Sequence, residues 1–434
     1  MSKQEPHIIA LHEHEFIKEE DSSLINDCQI RFQKTEYLES PIHLGLYHDQ
    51  DKYENSFSDI RASYYIGTDW LKDDVALTVL PKNSSIDYTA MFLSVLNFPQ
   101  AENYFSLFYG VDENAKTIDC QWGVNNIIPL MLLHYLSFLN HIAKKGLKHN
   151  YVLIQEILNL KIKGKILLQD NIAKNTCLLR NDRIFCQYQK YLTDCEENRL
   201  LKKAFLITMS YLKNNLSKKH LNNFSKSFTG NIYKAFEDVS DNINIRTVNQ
   251  TYQKTAFKHY YQALKLAKII IKQFHYSVRT EVMGKYKVPV FWIDMSRLYE
   301  VYIYSKLYKS YGKQIMFQVK GNYNTAVDFI KQDERLIIDT KYKFIYGNEG
   351  VKIEDIRQIS SYARDMKIIS QIGINENDDK ELKCIIIHPS KENEKGVVDF
   401  DKNKTLLSYA KPMKAFRNFF TIEVSLPKLS YSSK

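Results

Sequence analysis

Residues 327–343 read VDFIKQDERLIIDTKYK. Asp328 follows an apolar residue, and further along the run Asp339 closes the apolar stretch RLII and is followed by Thr340 and Lys341. Residues two apart on a strand share a face, so Asp339 and Lys341 point the same way. Alone, such a D-x-K tripeptide is an ion pair at the exposed end of a strand. A hairpin changes that, because it brings residues about ten positions apart side by side and so sets Asp328 beside Asp339 at one end of a sheet. Converging carboxylates repel unless a positive charge lies between them, and a hard divalent cation that takes oxygen ligands suits that place. Mg2+ needs only one or two carboxylates plus a substrate phosphate, with Mn2+ as a substitute. Lys341 would orient a bound water or neutralise developing negative charge.

The surrounding periodicity predicts where this stretch sits. Amphipathic helices are expected over 254–274 and 294–312, the second stopped by Gly312. Strands follow at 314–320, 325–331 and 335–342, then a helix at 352–368 and a strand KCIIIHP ended by Pro389. Further strands are expected at 404–410 and 418–425. Helix, three strands, helix, strand implies a mixed α/β sheet flanked by helices. In the helix after the motif, DIRQISSYA, Gln358 and Tyr362 are four apart and lie on one face.

The earlier half is less regular. Strands are expected at 64–71 and 74–83, and helices at 88–98 and 127–145 with Gly146 as a C-cap. A helical stretch at 154–160, a turn and strand at 161–169 and a helix at 197–213 come next. The polar run 218–250 is the candidate connection. The division expected is a β-rich region 1–145, a mainly helical region 146–245 and a catalytic domain 246–434.

With 434 residues, 44% of them apolar, the chain can bury more than one core. A net charge of +10 is compatible with nucleic acid. The six cysteines show no C-x-x-C spacing and are expected to be buried or half-buried thiols, and nothing at the N-terminus resembles a signal peptide, so a cytoplasmic location is expected. The longest apolar stretch, 127–139, is too short to cross a bilayer and predicts a core helix. His7, His12 and His14 are expected to be exposed polar residues.

The arrangement resembles the PD-(D/E)xK nuclease superfamily, with Val327 where the name has proline. The Gln358/Tyr362 pair resembles the Q-x-x-x-Y element of its RecB-like branch, which supports the active site and touches DNA. FWIDMSRLYEVYI, AVDFIKQDERLIIDTKYK and DIRQISSYARDM together resemble McrC, the nuclease subunit of McrBC-type modification-dependent restriction systems. VLPK at 79–82, GLKHNY at 146–151, KGKI at 163–166 and CQYQKYLTDCEENRLLKKAF at 186–205 have counterparts there in the same order. The resemblance implies a Mg-dependent endodeoxyribonuclease with Asp328, Asp339, Lys341, Gln358 and Tyr362 as catalytic residues. It implies Asp328, Asp339, Thr340 and Glu300 as metal ligands. It also implies two partners: double-stranded, modified DNA, and a hexameric McrB-like AAA+ GTPase into which the first half of the chain docks. The glycine–lysine pairs at Gly164, Gly284 and Gly312 lack P-loop spacing, so nucleotide hydrolysis is expected of that partner. Two other readings stand beside this one, a non-cleaving DNA-binding or assembly subunit and a free-standing RecB-like exonuclease.

Overall fold

The structure, a computed structural model, describes residues 6–25, 46–48, 60–83, 85–96, 104, 109–112, 115–116, 118–120, 124–215, 228–243, 258–280, 286–288, 290–344, 351–374, 382–391 and 396–428. It is mixed α/β and divides into two compact units, residues 1–130 with 285–434, and residues 131–284. This differs from the three-region division expected. The reason is long-range strand pairing, which ties the start of the chain to residues after 285 and which no local pattern reveals.

In the first unit, β1 (His7–His12), β2 (Tyr65–Lys72), β3 (Val75–Leu80), β4 (Tyr109–Asp112) and β5 (Val290–Asp294) form one sheet in the order β1-β3-β2-β5-β4. The expected strands at 64–71 and 74–83 are β2 and β3, and the helix expected at 88–98 is Tyr88–Leu96, residues 97 and 98 lying outside the described residues. β1 pairs parallel with β3, and β5 pairs antiparallel with β2 and β4. Apolar side chains of β1 and β3, with Trp292 of β5, make its core. Gly67 on β2 lies opposite Trp292, at φ 152°, and a Cβ there would stand 2.0 Å from the Phe291 carbonyl oxygen.

Asp294 ends β5 and caps the next helix, α1 (Met295–Tyr311), its carboxylate accepting the Arg297 N–H at 3.0 Å. A second sheet follows: β6 (Ile315–Lys320), β7 (Ala326–Lys331), β8 (Leu336–Thr340), β9 (Lys383–Pro389), β10 (Lys411–Pro412) and β11 (Phe419–Val424), ordered β6-β7-β8-β9-β11-β10. β6, β7 and β8 run antiparallel, while β9 joins β8 in parallel and β11 joins β9 in parallel. On one face Tyr304 of α1 stacks on Phe317 at 4.4 Å, with Phe329 beside them. On the other, Ile330, Ile337 and Ile386 pack with Ile359 and Ile368. Each fully buried aliphatic side chain of this kind stabilises by about 1.5–3 kcal/mol.

The helix expected over 352–368 is two, α2 (Ile353–Tyr362) and α3 (Met366–Ile372), because Asp365 caps the second by accepting the Lys367 N–H at 2.9 Å. The strand expected at 404–410 is a 3-10 turn, Leu406–Tyr409. The Glu334 carboxylate accepts the Leu406 and Leu407 N–H groups there, removing their need for a strand partner.

The second unit holds most of the helix Val124–Lys145, helices Glu196–Asn215 and Lys258–Thr280, and a three-stranded sheet of Asn150–Asn159, Arg183–Leu192 and Lys165–Ile166. The helical stretch expected at 154–160 is thus a strand, and the mainly helical middle region carries a sheet. Ile154, Ile157 and Leu158 recur at helical spacing, but ten paired residues with Arg183–Leu192 decide for a strand, which puts Ile157 on the face opposite the other two. At the base of the hairpin, Tyr260 Oη donates to Asn198 Oδ1 and accepts the Lys148 N–H. Of the free cysteines Cys186, Cys195 and Cys384 are buried as expected, but Cys177 is exposed. The polar 218–250 run lies partly outside the described residues, and within it Phe228–Ala235 is a helix. Among the described residues no helix is long and apolar enough to cross a membrane.

Gly67→Ala should force β2 and β5 apart and cost at least about 2 kcal/mol. Thermal unfolding of the variant checks this, and an unchanged midpoint would refute the close approach.

Candidate functional site

The register Phe329↔Ile338 between β7 and β8, continued by one residue, sets Asp328 opposite Asp339. The two carboxylates therefore converge as expected. The main-chain N–H and the hydroxyl of Thr340 both donate to Asp328 Oδ2, at 2.7 and 2.6 Å. Thr340 thereby fixes the rotamer of Asp328. Lys341 shares the face of Asp339, its Nζ 2.7 Å from Asp339 Oδ2. Apart from this ion pair, Oδ2 is a buried oxygen with no further partner among the described residues.

The opposite layer completes the Lys341 environment. Lys341 Nζ donates to Gln358 Oε1 at 2.8 Å, and Gln358 Nε2 donates to the Tyr362 hydroxyl at 2.9 Å. The i, i+4 spacing on α2 thus becomes a relay that holds the lysine from below. Next to it Lys343 donates to both oxygens of Asp355.

Glu300 enters from α1 and is only 4% exposed. Arg297, one turn earlier, places Nη1 2.7 Å from Glu300 Oε2, and Gln318 Nε2 donates to Oε1. Gln318 is left-handed, at φ 52°, and β6 and β7 pair at Phe317↔Phe329 and Val319↔Val327 without pairing it to Asp328. A non-glycine residue in that region costs on the order of 1–3 kcal/mol, and such strain clusters at functional sites. Here it turns an amide off the sheet toward Glu300.

Burial pushes the Asp339 carboxyl up to about 7, and the charge of Asp328 adds to this against the pull of Lys341. Burial likewise pushes Glu300 up to about 8, with Asp328 again opposing ionisation and Arg297 favouring it. Burial alone would lower Lys341, but Asp339 outweighs it and the ammonium is held above its ordinary range. Asp294 is raised to about 6 by burial.

All seven residues expected from the sequence lie at this end of the sheet. Among the described residues no three His, Cys, Asp or Glu side chains form a ready-made metal cage. The donor set is two facing carboxylates, one with a buried oxygen met only by the Lys341 ammonium, and it fits a hard cation that takes its remaining ligands from water and substrate. Glu300 is near, but each of its oxygens already accepts a hydrogen bond. His7, His12 and His14 take no part: His7 meets Asp21, and His14 lies within the first sheet's surroundings, its imidazole lowered to about 4 by burial and by Lys82 and Arg61. Arg297, Gln318 and the Lys343–Asp355 pair were not singled out from the sequence. The R-x-x-E spacing on α1 is the one signal that marks Arg297, and nothing local marks Gln318.

An acid–acid–lysine cluster on a mixed sheet, braced by a glutamine–tyrosine relay, is the class of site this chain carries. A profile of the McrBC 5-methylcytosine restriction system component family matches residues 60–371, well over half of the chain, and the chain belongs to that family. Among solved structures, it is similar to a half-complex from a tetradecameric assembly of Thermococcus gammatolerans McrB AAA+ hexamers with bound McrC. That match has 15% identity and a TM-score of 0.37, covering 96% of this chain and 94% of that one. A second similar structure is the Thermococcus gammatolerans McrBC complex, at 17% identity and a TM-score of 0.29, covering 70% and 88%. No curated protein matches the sequence.

Because the folded state keeps a proton on Asp339 that the unfolded chain releases, stability falls as pH rises from 3.8 to about 7. Asp339→Asn holds no such proton, so its stability relative to the natural chain should grow across that window, by on the order of 1 kcal/mol per pH unit, and level off above it. Chemical denaturation at both ends of the window measures this, and a constant offset would show that folding does not shift the titration of Asp339.

Proposed function

We propose that this chain is the DNA-cutting subunit of a modification-dependent restriction system, a divalent-cation-dependent endonuclease that acts with a separate AAA+ GTPase. The observation that carries this is the convergence of Asp328, Asp339 and Lys341 over the Gln358–Tyr362 relay in a chain of the McrBC family. The order α1, β6–β8, α2, β9 supports a PD-(D/E)xK nuclease core. Double-stranded DNA carrying a modified base is the substrate, and the target is a phosphodiester.

Mg2+, or Mn2+ in its place, would be held by Asp328 and Asp339 with Thr340 and Glu300 around them, and when bound it lowers the pKa of a water and offsets charge on the phosphate. Thr340 keeps the Asp328 carboxylate turned toward Asp339. Lys341, charged and pinned by Gln358, orients the attacking water and meets the negative charge that grows in the transition state. Tyr362 fixes the Gln358 amide so that its oxygen, not its nitrogen, faces the lysine. A cation between the two acids would offset the charge of Asp328 and favour the ionised form of Asp339.

None of the glycine–lysine pairs has P-loop spacing, which assigns nucleotide hydrolysis to the partner. The surface we assign to that partner is the hairpin Asn150–Asn159 with Arg183–Leu192. It exposes Tyr151 at 66%, Leu153 at 57% and Tyr191 at 59%, with Leu160 at 85% near its tip. Apolar side chains so exposed on one narrow element mark an interaction surface.

Asp339→Ala and Lys341→Ala should each lower cleavage of cytosine-methylated plasmid by at least about 10²-fold, in the presence of Mg2+, GTP and the AAA+ partner. Both should still bind the partner, measured by co-elution. Cleavage at the natural rate by either variant would end the active-site assignment. Changing Tyr151 and Leu153 to Ser should weaken partner binding by at least about tenfold and cost no more than about 1 kcal/mol of stability, because neither side chain is buried and the main loss is the cross-strand contact of Tyr151 with Tyr191. Unchanged co-elution would remove the hairpin from the docking surface.

A further inference from the structure

Glu300 is held more tightly than a cation ligand needs to be. Its two oxygens take hydrogen bonds from two separate donors, Arg297 Nη1 at 2.7 Å and the Gln318 amide, and Gln318 adopts a left-handed backbone to reach it. Arg297 is the less satisfied partner. A guanidinium carries five N–H donors, and the one side-chain hydrogen bond it makes among the described residues goes to Glu300. Its side chain is 38% exposed, against 5% for Glu300, so the fork is anchored at its buried edge and open at the other. It stands at the first turn of α1, within the field of Asp328 as well as of Glu300 and Asp294.

Resting on the nuclease reading above, we infer that Arg297 is a catalytic residue that binds the scissile phosphate, and that Glu300 is its positioning residue instead of a metal ligand. A planar guanidinium matches two non-bridging phosphate oxygens with paired N–H donors, which an ammonium cannot do. Fixing one nitrogen on Glu300 leaves the remaining edge preorganised, so little conformational freedom is lost when the phosphate arrives. The division of labour is then balanced. Asp328 and Asp339 supply the anionic side for the cation, and Lys341 and Arg297 supply the cationic side, one toward the attacking water and one toward the phosphate. Glu300 and Gln318 are the brace behind the arginine, just as Gln358 and Tyr362 are the brace behind the lysine.

The test separates cation binding from phosphate binding in the full chain. Arg297→Lys keeps a charge opposite Glu300 but removes the fork. The double variant Arg297→Met with Glu300→Gln removes both charges together and leaves neither buried alone. Mn2+ affinity is read by electron paramagnetic resonance, duplex DNA affinity by anisotropy in Ca2+, and single-turnover cleavage with the AAA+ partner. Both variants should keep Mn2+ affinity within about twofold, cut at least about 10²-fold more slowly at saturating DNA, and bind duplex more weakly. Asp339→Ala, by contrast, should lose Mn2+. If the double variant loses Mn2+ as fully as Asp339→Ala, Glu300 is a cation ligand and the inference fails. Natural cleavage rates in both variants overturn it too. If Asp339→Ala itself still cuts, the nuclease reading falls first, so the two failures are told apart.

Discussion

Two carboxylates facing each other across a hairpin are the constraint around which this half of the molecule is arranged. Asp328 and Asp339 are forced together by the register of β7 and β8, and neither can be moved without moving the strand that carries it. In water their repulsion would be mild, but Asp339 is buried and the same repulsion raises its pKa. Everything packed nearby answers that charge. Thr340 spends both its donors on Asp328, Lys341 pairs with Asp339, and α2 supplies a relay that keeps the lysine in place.

The site is therefore a place where folding and chemistry pull in opposite directions. The apolar layers on both faces of the sheet stabilise it: Ile330, Ile337 and Ile386 under α2 and α3, and Phe317 and Phe329 under Tyr304 of α1. Those layers bury Asp339 and Glu300 at the end of the sheet and leave Asp328 half-buried. A buried carboxylate facing a second acid and a left-handed glutamine are both costs that packing elsewhere offsets. Such costs persist where the surroundings over-determine the conformation, and here two sheets and three helices do so.

How much of this was legible in the sequence depended on the distance over which each feature is decided. Asp328, Asp339 and Lys341 were legible because a short hairpin fixes their relation within seventeen residues or so. Gln358 and Tyr362 were legible because i, i+4 on a helix is a local rule. Gln318 was not, since its backbone twist answers a glutamate on another element. The strand Asn150–Asn159 was misjudged as partly helical because Ile154, Ile157 and Leu158 recur at helical spacing, and only its pairing with Arg183–Leu192 decides. The domain limits failed for the same reason on a larger scale. β5 returns to strands formed between 178 and 229 positions earlier, and that sheet joins regions a linear division keeps apart.

That return has a further consequence for how the chain tolerates change. Asp294 is at once the last residue of β5 and the cap of α1, so strand and helix are spliced with no loop between them. A loop absorbs insertions and deletions; a splice does not. One added residue at this point would rotate α1 by about 100° about its axis and carry Arg297 and Glu300 off the sheet together. The first sheet thus sets the phase of the helix, and drift in length at this junction is closed to the molecule even where drift in sequence is open.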